Sequence, residues 1–325
     1  MKSVFLLFTL LFVAAVYGYG EANSDGHPNW VERESHTLLN FVRINPSAYR
    51  QNFMPASRYK NVGNILLSGY KPTAPLYYNE TFNKLALYHS DDMSKNKCFS
   101  HDSCDKTKIG ERFAQFLGSC IPAWGENIAV GYSSGILQNN LLICEDGTTC
   151  ISDGQSGVGH RNNIMSSSYV QVGVGFTNNY ITQDFRASGC ISDAPTSPIH
   201  AGSHTYNISG SQLTYITTFY NSQLTVNSAE IEFSNSRENL VLLYGTANQG
   251  AYIYQPTNGT QFSCEPYRFV FSTNNGTFTY PDTGSLITSN KDCTDTYTDH
   301  SPSSATTTTV SVALLCIMMI ATLFF

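Results

Sequence analysis

Apolar residues recur at helical spacing in the first half of the chain. Between Asn29 and Tyr49 they follow a helical period that is interrupted near Pro46. A second amphipathic helix is predicted from about Asn79. Two later runs, at 170–176 and 180–185, are rich in aromatic and β-branched residues and are typical of adjacent strands. The first half should therefore combine helices with a sheet.

The pattern changes beyond Pro195, where short strand-like runs alternate with turn residues. Four such runs occupy residues 213–220, 229–233, 240–244 and 267–272. Their spacing is typical of a sandwich of two antiparallel sheets. The sequence therefore predicts an α+β protein, with a mixed domain at 29–190 and an all-β sandwich at 195–295.

Both ends of the chain carry apolar runs. Residues 1–18 combine Lys2 with an apolar stretch and small residues, which predicts a signal peptide. A Ser/Thr-rich stalk at 301–309 precedes an apolar run at 310–325 that no basic residue follows. About sixteen helical residues span roughly 24 Å, less than the roughly 30 Å of a bilayer core, which favours a removed GPI signal over a short transmembrane helix. We expect a secreted protein anchored at the extracellular face of the membrane.

Cysteines and glycosylation sequons agree with export. Eight cysteines precede the tail, and an even number in an oxidising compartment indicates disulfides. Eight cysteines allow 105 pairings, of which the sequence favours only the local closure of Cys144 with Cys150. Four sequons predict a glycoprotein, at Asn79, Asn207, Asn258 and Asn275.

The charge of the chain excludes one class of partner. The formal net charge is −6, and no stretch clusters lysine and arginine. Because binding to phosphate backbones requires such clusters, nucleic acid is not an expected partner. A neutral or apolar extracellular ligand fits the composition better.

Two histidines and a carboxylate stand in three short islands of the first half, as His101, Glu126 and His160. Neutral imidazole and ionised carboxylate ligate zinc or transfer protons near neutral pH. In one interpretation, His101 and His160 bind a divalent metal while Glu126 orients one ring or acts as a base. In the other, the three residues form a hydrogen-bonded structural cluster. The residues alone do not distinguish these two interpretations.

Five segments between about Asn29 and Phe185 resemble the CAP superfamily of cysteine-rich secretory, antigen 5 and pathogenesis-related 1 proteins (the SCP domain), and its bacterial-type members most. They are LYHSDDMSKNKCFSH, GENIAVGY, GHRNNIM, VGVGF and YITQDF. The resemblance implies an α/β/α sandwich with a cleft lined by two histidines and one or two acids. The matching positions are His101, Glu126 and His160. For the second acid, Glu145 is the nearest candidate, and Asp146 is the alternative.

The resemblance implies ligand binding, with a lipid or sterol as the expected partner, and it favours binding over catalysis. The alternative is a metal-assisted peptidase or esterase in which His101 and His160 hold zinc and Glu126 activates water. A third hypothesis is adhesion or a surface-coat role through the C-terminal sandwich. Only the second hypothesis requires a cofactor. His89 and Arg161 are expected to have structural roles.

Overall fold

A computed structural model describes residues 19–118, 121–189, 195–208, 212–257, 264–290 and 293–300. The predicted signal peptide, stalk and apolar tail lie outside these ranges, as do Cys120, Cys190 and Asn258. Within the described ranges, no helix combines the length and the apolar character needed to cross a bilayer.

The described chain runs from a helical first half into strands. The helices are α1 (Trp30–Ile44), α2 (Pro46–Phe53), α3 (Glu80–Asn96), α4 (Ile109–Leu117), α5 (Gly135–Cys144) and α6 (Gly159–Met165), with a 3₁₀ turn at Val62–Asn64. The strands of the first half are β1 (Tyr77–Tyr78), β2 (Trp124–Val130), β3 (Tyr169–Thr177) and β4 (Tyr180–Ala187). Those of the second half are β5 (Gly202–Tyr206), β6 (Leu213–Tyr220), β7 (Val226–Phe233), β8 (Arg237–Asn239), β9 (Val241–Thr246), β10 (Gln249–Tyr254), β11 (Pro266–Thr273), β12 (Gly276–Tyr280), β13 (Ser285–Ile287) and β14 (Tyr297–Thr298).

Local capping explains where the first helices begin. The interruption expected near Pro46 is a boundary between two helices, because α1 ends at Ile44 and Pro46 opens α2. The Asn45 side chain accepts a hydrogen bond from the backbone N–H of Ala48, and proline is well suited to a first helical position, where its missing N–H costs nothing. Asn79 caps α3 in the same way, by accepting from the N–H of Phe82.

The sheet of the first half has the order β1-β3-β4-β2, with β1 parallel to β3 and the other pairs antiparallel. Side chains on β3 alternate between its two faces. Val172 and Val174 belong to the core that includes α1, whereas Gly173 and Gly175 face α3. Helices therefore cover both faces of this sheet.

Glycines in β3 let α3 approach the sheet closely. A Cβ atom on Gly173 would lie 2.0 Å from the carbonyl carbon of Phe82, and one on Gly175 would lie 2.1 Å from the backbone nitrogen of Leu87. No other residue fits without displacing the helix backbone. The VGVGF segment thus brings α3 against the sheet.

Helix α1 lies between the two halves of the protein and is buried from Val31 to Ile44. On one side it packs with the first sheet, and on the other it contacts β5, β6 and β10. The Trp30 indole donates to the carbonyl of His204 at 2.9 Å, and the Tyr244 hydroxyl donates to the carbonyl of Phe41 at 3.1 Å. The two halves therefore share a core.

The second half contains two sheets, one with the order β5-β6-β10-β9 and the other with the order β14-β13-β11-β7-β8, to which β12 adds by pairing with β11. The Phe219 and Phe271 rings stack with centroids 4.8 Å apart, and the Tyr215 and Tyr267 rings meet edge to face at 4.7 Å. Such aromatic pairs contribute beyond the apolar area they bury. They join the two sheets through their inner faces.

The structure confirms one disulfide prediction and corrects one glycosylation site. Cys144 is bonded to Cys150 as predicted, and Cys98 is bonded to Cys104. Asn79, one of the four predicted glycosylation sites, is 8% exposed and its amide donates to Gln171, so it is not accessible to a glycan in the folded chain. Two other sequon asparagines, at 207 and 275, are exposed.

Candidate functional site

His101 is presented by a short loop that follows α3. The Cys98–Cys104 disulfide closes this loop, and Asp92 of α3 accepts a hydrogen bond from the backbone N–H of Cys104 at 2.7 Å. His89, buried on α3, lies with its Nε2 atom 2.9 Å from the Ser100 carbonyl. His89 therefore has the structural role expected from the sequence, since it supports the loop and leaves the His101 side chain half exposed.

Glu126, on β2, lies behind the His101 ring. Its Oε1 atom is 2.8 Å from Nδ1 of His101, and the side chain is 1% exposed. From α4, the buried Arg112 guanidinium donates to the other carboxylate oxygen of Glu126 and, at 2.8 Å, to the backbone carbonyl of His101. Because an ionised carboxylate only accepts hydrogen bonds, Nδ1 of His101 carries the proton. Glu126 thereby orients the ring.

Glu145 has the same relation to His160. It follows α5 with a positive φ of 72°, which turns the chain so that its carboxylate accepts the backbone N–H groups of His160 and Arg161 at 3.3 and 2.8 Å. These are free N–H groups of the first turn of α6, where a negative charge is favourable. Oε2 of Glu145 lies 2.7 Å from Nδ1 of His160, although the angle is poor for a hydrogen bond, so the contact is chiefly electrostatic. The alternative acid, Asp146, is exposed and does not line the cleft.

The two histidines therefore share one arrangement, in which Nδ1 faces a buried carboxylate. Among the residues that the structure describes, Nε2 of neither His101 nor His160 has a hydrogen-bond partner. The hydrogen bond to Glu126 fixes the His101 tautomer that leaves a lone pair on Nε2, as carboxylates do in histidines that bind metals, and the Glu145 charge favours a proton on Nδ1 of His160. Both residues line one cleft, in which these nitrogens are available to a ligand.

The cleft has a volume of about 560 Å³ and one apolar wall. Its lining comprises Phe99, Ser100, His101, Asp102, Ile128, Ala129, Val130, Leu141, Leu142, Glu145 and His160. Phe99 is 53% exposed and Val130 is 37% exposed, so apolar surface on this wall faces solvent. A ligand that covers this wall would be stabilised by the hydrophobic effect.

The donor set accommodates a divalent ion only in part. In the described ranges, three potential ligand atoms lie within 4.8 Å of one another only at Asp92, Cys98 and Cys104, where the disulfide occupies both sulfurs. Glu126 does not line the cleft, and the two carboxylates that do, Asp102 and Glu145, are bound to Lys108 and to backbone N–H groups. The cleft therefore offers chiefly two imidazole nitrogens. A zinc ion on His101 and His160 would take its remaining ligands from water or from a bound molecule.

Two residues of the site were not singled out in the sequence. Arg112 neutralises Glu126 from α4, and Asp184 lies on β4 directly opposite Glu126. Burial raises the pKa of the Asp184 carboxyl well above its usual range, and the Glu126 charge raises it further. The one local signal for Asp184 is an acid inside the otherwise uncharged strand segment YITQDF.

A second groove, of about 590 Å³, lies between the end of α2 and the first C-terminal sheet. Its floor includes Phe53, Ile136, Leu243 and Ile253, and most of its polar lining residues are amides and hydroxyls. Among the described residues that line it there is no histidine and no carboxylate. It could receive an apolar molecule but lacks the titratable groups of the first cleft.

Comparisons with known proteins find similar sequences for the first half of the chain. The model of the CAP family, described as the cysteine-rich secretory protein family, matches residues 43–190. An uncharacterized membrane protein of Bacillus subtilis (strain 168), YlbC, is 30% identical over 112 residues, which are 34% of this chain and 29% of that protein. The chain thus matches less than a third of the length of this curated relative. An extracellular protein containing an SCP domain from Bacillus anthracis str. Ames gives a TM-score of 0.31 at 25% identity, with 39% of this chain and 38% of that one covered.

Proposed function

The chain belongs to the CAP family through residues 43–190, and from this premise we propose that it is an extracellular binding protein whose ligand occupies the cleft of His101 and His160. The two disulfides support an oxidising compartment. The apolar segments at 1–18 and 310–325 support export and a GPI anchor on the extracellular face of the cell membrane.

One observation carries this proposal: an apolar wall adjoins two histidines whose Nε2 atoms are available. An amphipathic ligand, such as a fatty acid or a sterol, would lay its hydrocarbon part on Phe99 and Val130 and direct its polar head toward the imidazoles. The hydrogen bond to the buried Glu126 orients the His101 ring in advance, so little freedom of that side chain would be lost on binding.

His101 and His160 are also the residues that would hold a divalent metal such as zinc. A bound ion would supply positive charge for an anionic or hydroxyl head group. With only two protein ligands, its affinity should be lower than that of a zinc site with three. Catalysis by Glu126 is not part of this proposal, because Glu126 lies behind His101 and is bound by Arg112.

Ligand binding can be tested by displacement of a fluorescent fatty acid and a fluorescent sterol from the purified full chain. Phe99→Ala is the test variant, and Leu67→Ala, which changes an apolar residue that is 43% exposed and outside the cleft, is the control. If a ligand covers about 50 Å² of Phe99, the loss is about 1 kcal/mol, or about fivefold in Kd. Equal binding by both variants, or no binding by the parent chain, would contradict the proposal.

The metal can be tested by calorimetric titration with zinc alone. His101→Ala and His160→Ala should each weaken binding at least tenfold, because each removes one of two protein ligands. His300→Ala changes an exposed histidine outside the cleft and should leave the affinity unchanged. Zinc binding that survives in both cleft variants would place the ion elsewhere.

Adhesion is a second candidate function, and one observation favours it. Strand β9 is at the edge of its sheet, and it exposes Val241 by 61% and Leu242 by 38%. An exposed apolar edge strand can pair with a strand of another chain. Cells that display the protein should then adhere to partner cells. Val241→Lys should abolish this adhesion, whereas Phe99→Ala should not change it.

A further inference from the structure

Asp184 is a fully buried acid at the centre of the first sheet. It lies opposite Glu126 of β2 and Gly173 of β3, so the Asp184 and Glu126 side chains are neighbours on one face. Asp184 is 0% exposed, and neither of its carboxyl oxygens accepts a hydrogen bond from any described residue. A buried carboxylate without a donor would be strongly destabilising.

The charged groups around Asp184 do not balance two ionised acids. Glu126 faces it from β2 and Arg112 acts on it from α4, while His89 of α3 lies with its Nε2 atom 3.9 Å from Oε1 of Glu126. Arg112 directs its two terminal nitrogens to Glu126, to the His101 carbonyl and to Ser103. Burial lowers the pKa of His89, so this ring is neutral near pH 7. One guanidinium is therefore left for two adjacent carboxyl groups, which favours one proton on the pair.

We propose that Asp184 is a positioning residue of the cleft, which keeps its proton and donates it in a hydrogen bond to Glu126. Glu126 then holds a single negative charge that accepts from Asp184, Arg112 and Nδ1 of His101 at once. This inference rests on the proposed binding function, because its consequence is the orientation of the His101 ring. The acid acts through Glu126 and does not contact the ligand.

The competing arrangement is an ionised Asp184. Nε of Arg112 is also buried without a partner in the described structure, so a water molecule between Arg112 and Asp184 would stabilise the ionised acid. The two arrangements differ in where the proton lies. Infrared spectroscopy distinguishes them, because a protonated carboxyl has a C=O stretching band that a carboxylate lacks.

The experiment compares the full chain with Asp184→Asn and Asp184→Leu. At pH 7 the parent chain should show the infrared band of a buried protonated carboxyl, and both variants should lack it. Asparagine can still donate to Glu126 and leucine cannot. The NMR signal of the His101 Nδ1–H group should therefore persist in Asp184→Asn and broaden or vanish in Asp184→Leu. Zinc affinity should fall about tenfold in the leucine variant and less than threefold in the asparagine variant.

Two results would overturn the inference: no carboxyl band in the parent chain, or loss of the His101 Nδ1–H signal in Asp184→Asn. If Asp184→Leu does not fold, the infrared band of the parent chain and the His101 signal of Asp184→Asn still test the inference. The spectroscopic results require no ligand. Failure of the binding function would therefore appear as absent zinc and lipid binding, with the band and the His101 signal unchanged.

Discussion

Replacing Gly173 with alanine tests the close contact between α3 and the sheet. The new Cβ atom would lie 2.0 Å from the carbonyl carbon of Phe82 and 2.1 Å from the nitrogen of Asn83. Both are backbone atoms, so no side-chain rotation relieves the clash. Because ordinary carbon contacts lie at about 3.5 to 4.0 Å, α3 would have to move by more than about 1 Å.

That displacement has a cost that can be assessed from the contacts of α3. The Ser90 hydroxyl donates to the Gly175 carbonyl at 2.9 Å, and the Asn83 amide donates to the Val174 carbonyl. Weakening two buried hydrogen bonds costs about 2 kcal/mol, and overpacking adds about 1 to 3 kcal/mol. We expect Gly173→Ala to lower the free energy of unfolding by about 3 to 5 kcal/mol.

The assay is urea unfolding at pH 7, with Gly110→Ala as the matched control. Gly110 lies in the first turn of α4, and a Cβ atom there would meet nothing within 4 Å. Alanine at this position should be neutral or stabilising by up to about 1 kcal/mol. If Gly173→Ala unfolds within about 1 kcal/mol of the parent chain, the inferred contact between α3 and the sheet is wrong.

The same substitution should also impair the cleft. Helix α3 supports the His101 loop through His89 and Asp92. A displaced helix would shift that loop, so the folded fraction of Gly173→Ala should bind zinc and fatty acid more weakly than Gly110→Ala.

Three further predictions follow from buried groups. Arg161→Lys should lower the free energy of unfolding by about 3 kcal/mol, measured in urea, because the buried guanidinium bonds to Asp153 and to the Ile143 and Ile151 carbonyls in a geometry that lysine cannot reproduce. A chain ending at Cys190 should aggregate in size-exclusion chromatography, since it exposes the face of α1 that contacts the second half; a soluble, cooperatively unfolding fragment would refute this. Burial raises the pKa of Glu34 to about 7, so its contribution to stability, present at low pH, is lost as the pH rises from about 4.5 to about 7. Relative to Glu34→Gln, the parent chain should therefore lose up to about 3 kcal/mol over that range in urea titrations, and parallel pH profiles would contradict this.

Features that depend on local chemistry could be predicted from the sequence. Helix starts and strand periods depend on residues that are close in the sequence. This is why the sequence predicts the start of α3 near Asn79, the break at Pro46 and the strands β3 and β4. The short separation of Cys144 and Cys150 favoured their pairing, although Cys98 and Cys104, which are also bonded, have the same separation of 6 and were not paired from the sequence. His101, Glu126 and His160 were recognisable because each stands in a short, distinctive segment.

What the sequence by itself determined is thus several of the elements and the three short segments that carry His101, Glu126 and His160. The tertiary structure decided which groups lie behind them: Glu145 reaches His160 only because α5 and α6 meet, and Asp184 faces Glu126 only through the register of β2 and β4. It also decided that charged residues of α1, such as Glu34, are buried, because the second half covers that helix. These outcomes depend on contacts between distant segments, and no local pattern encodes which segments will meet.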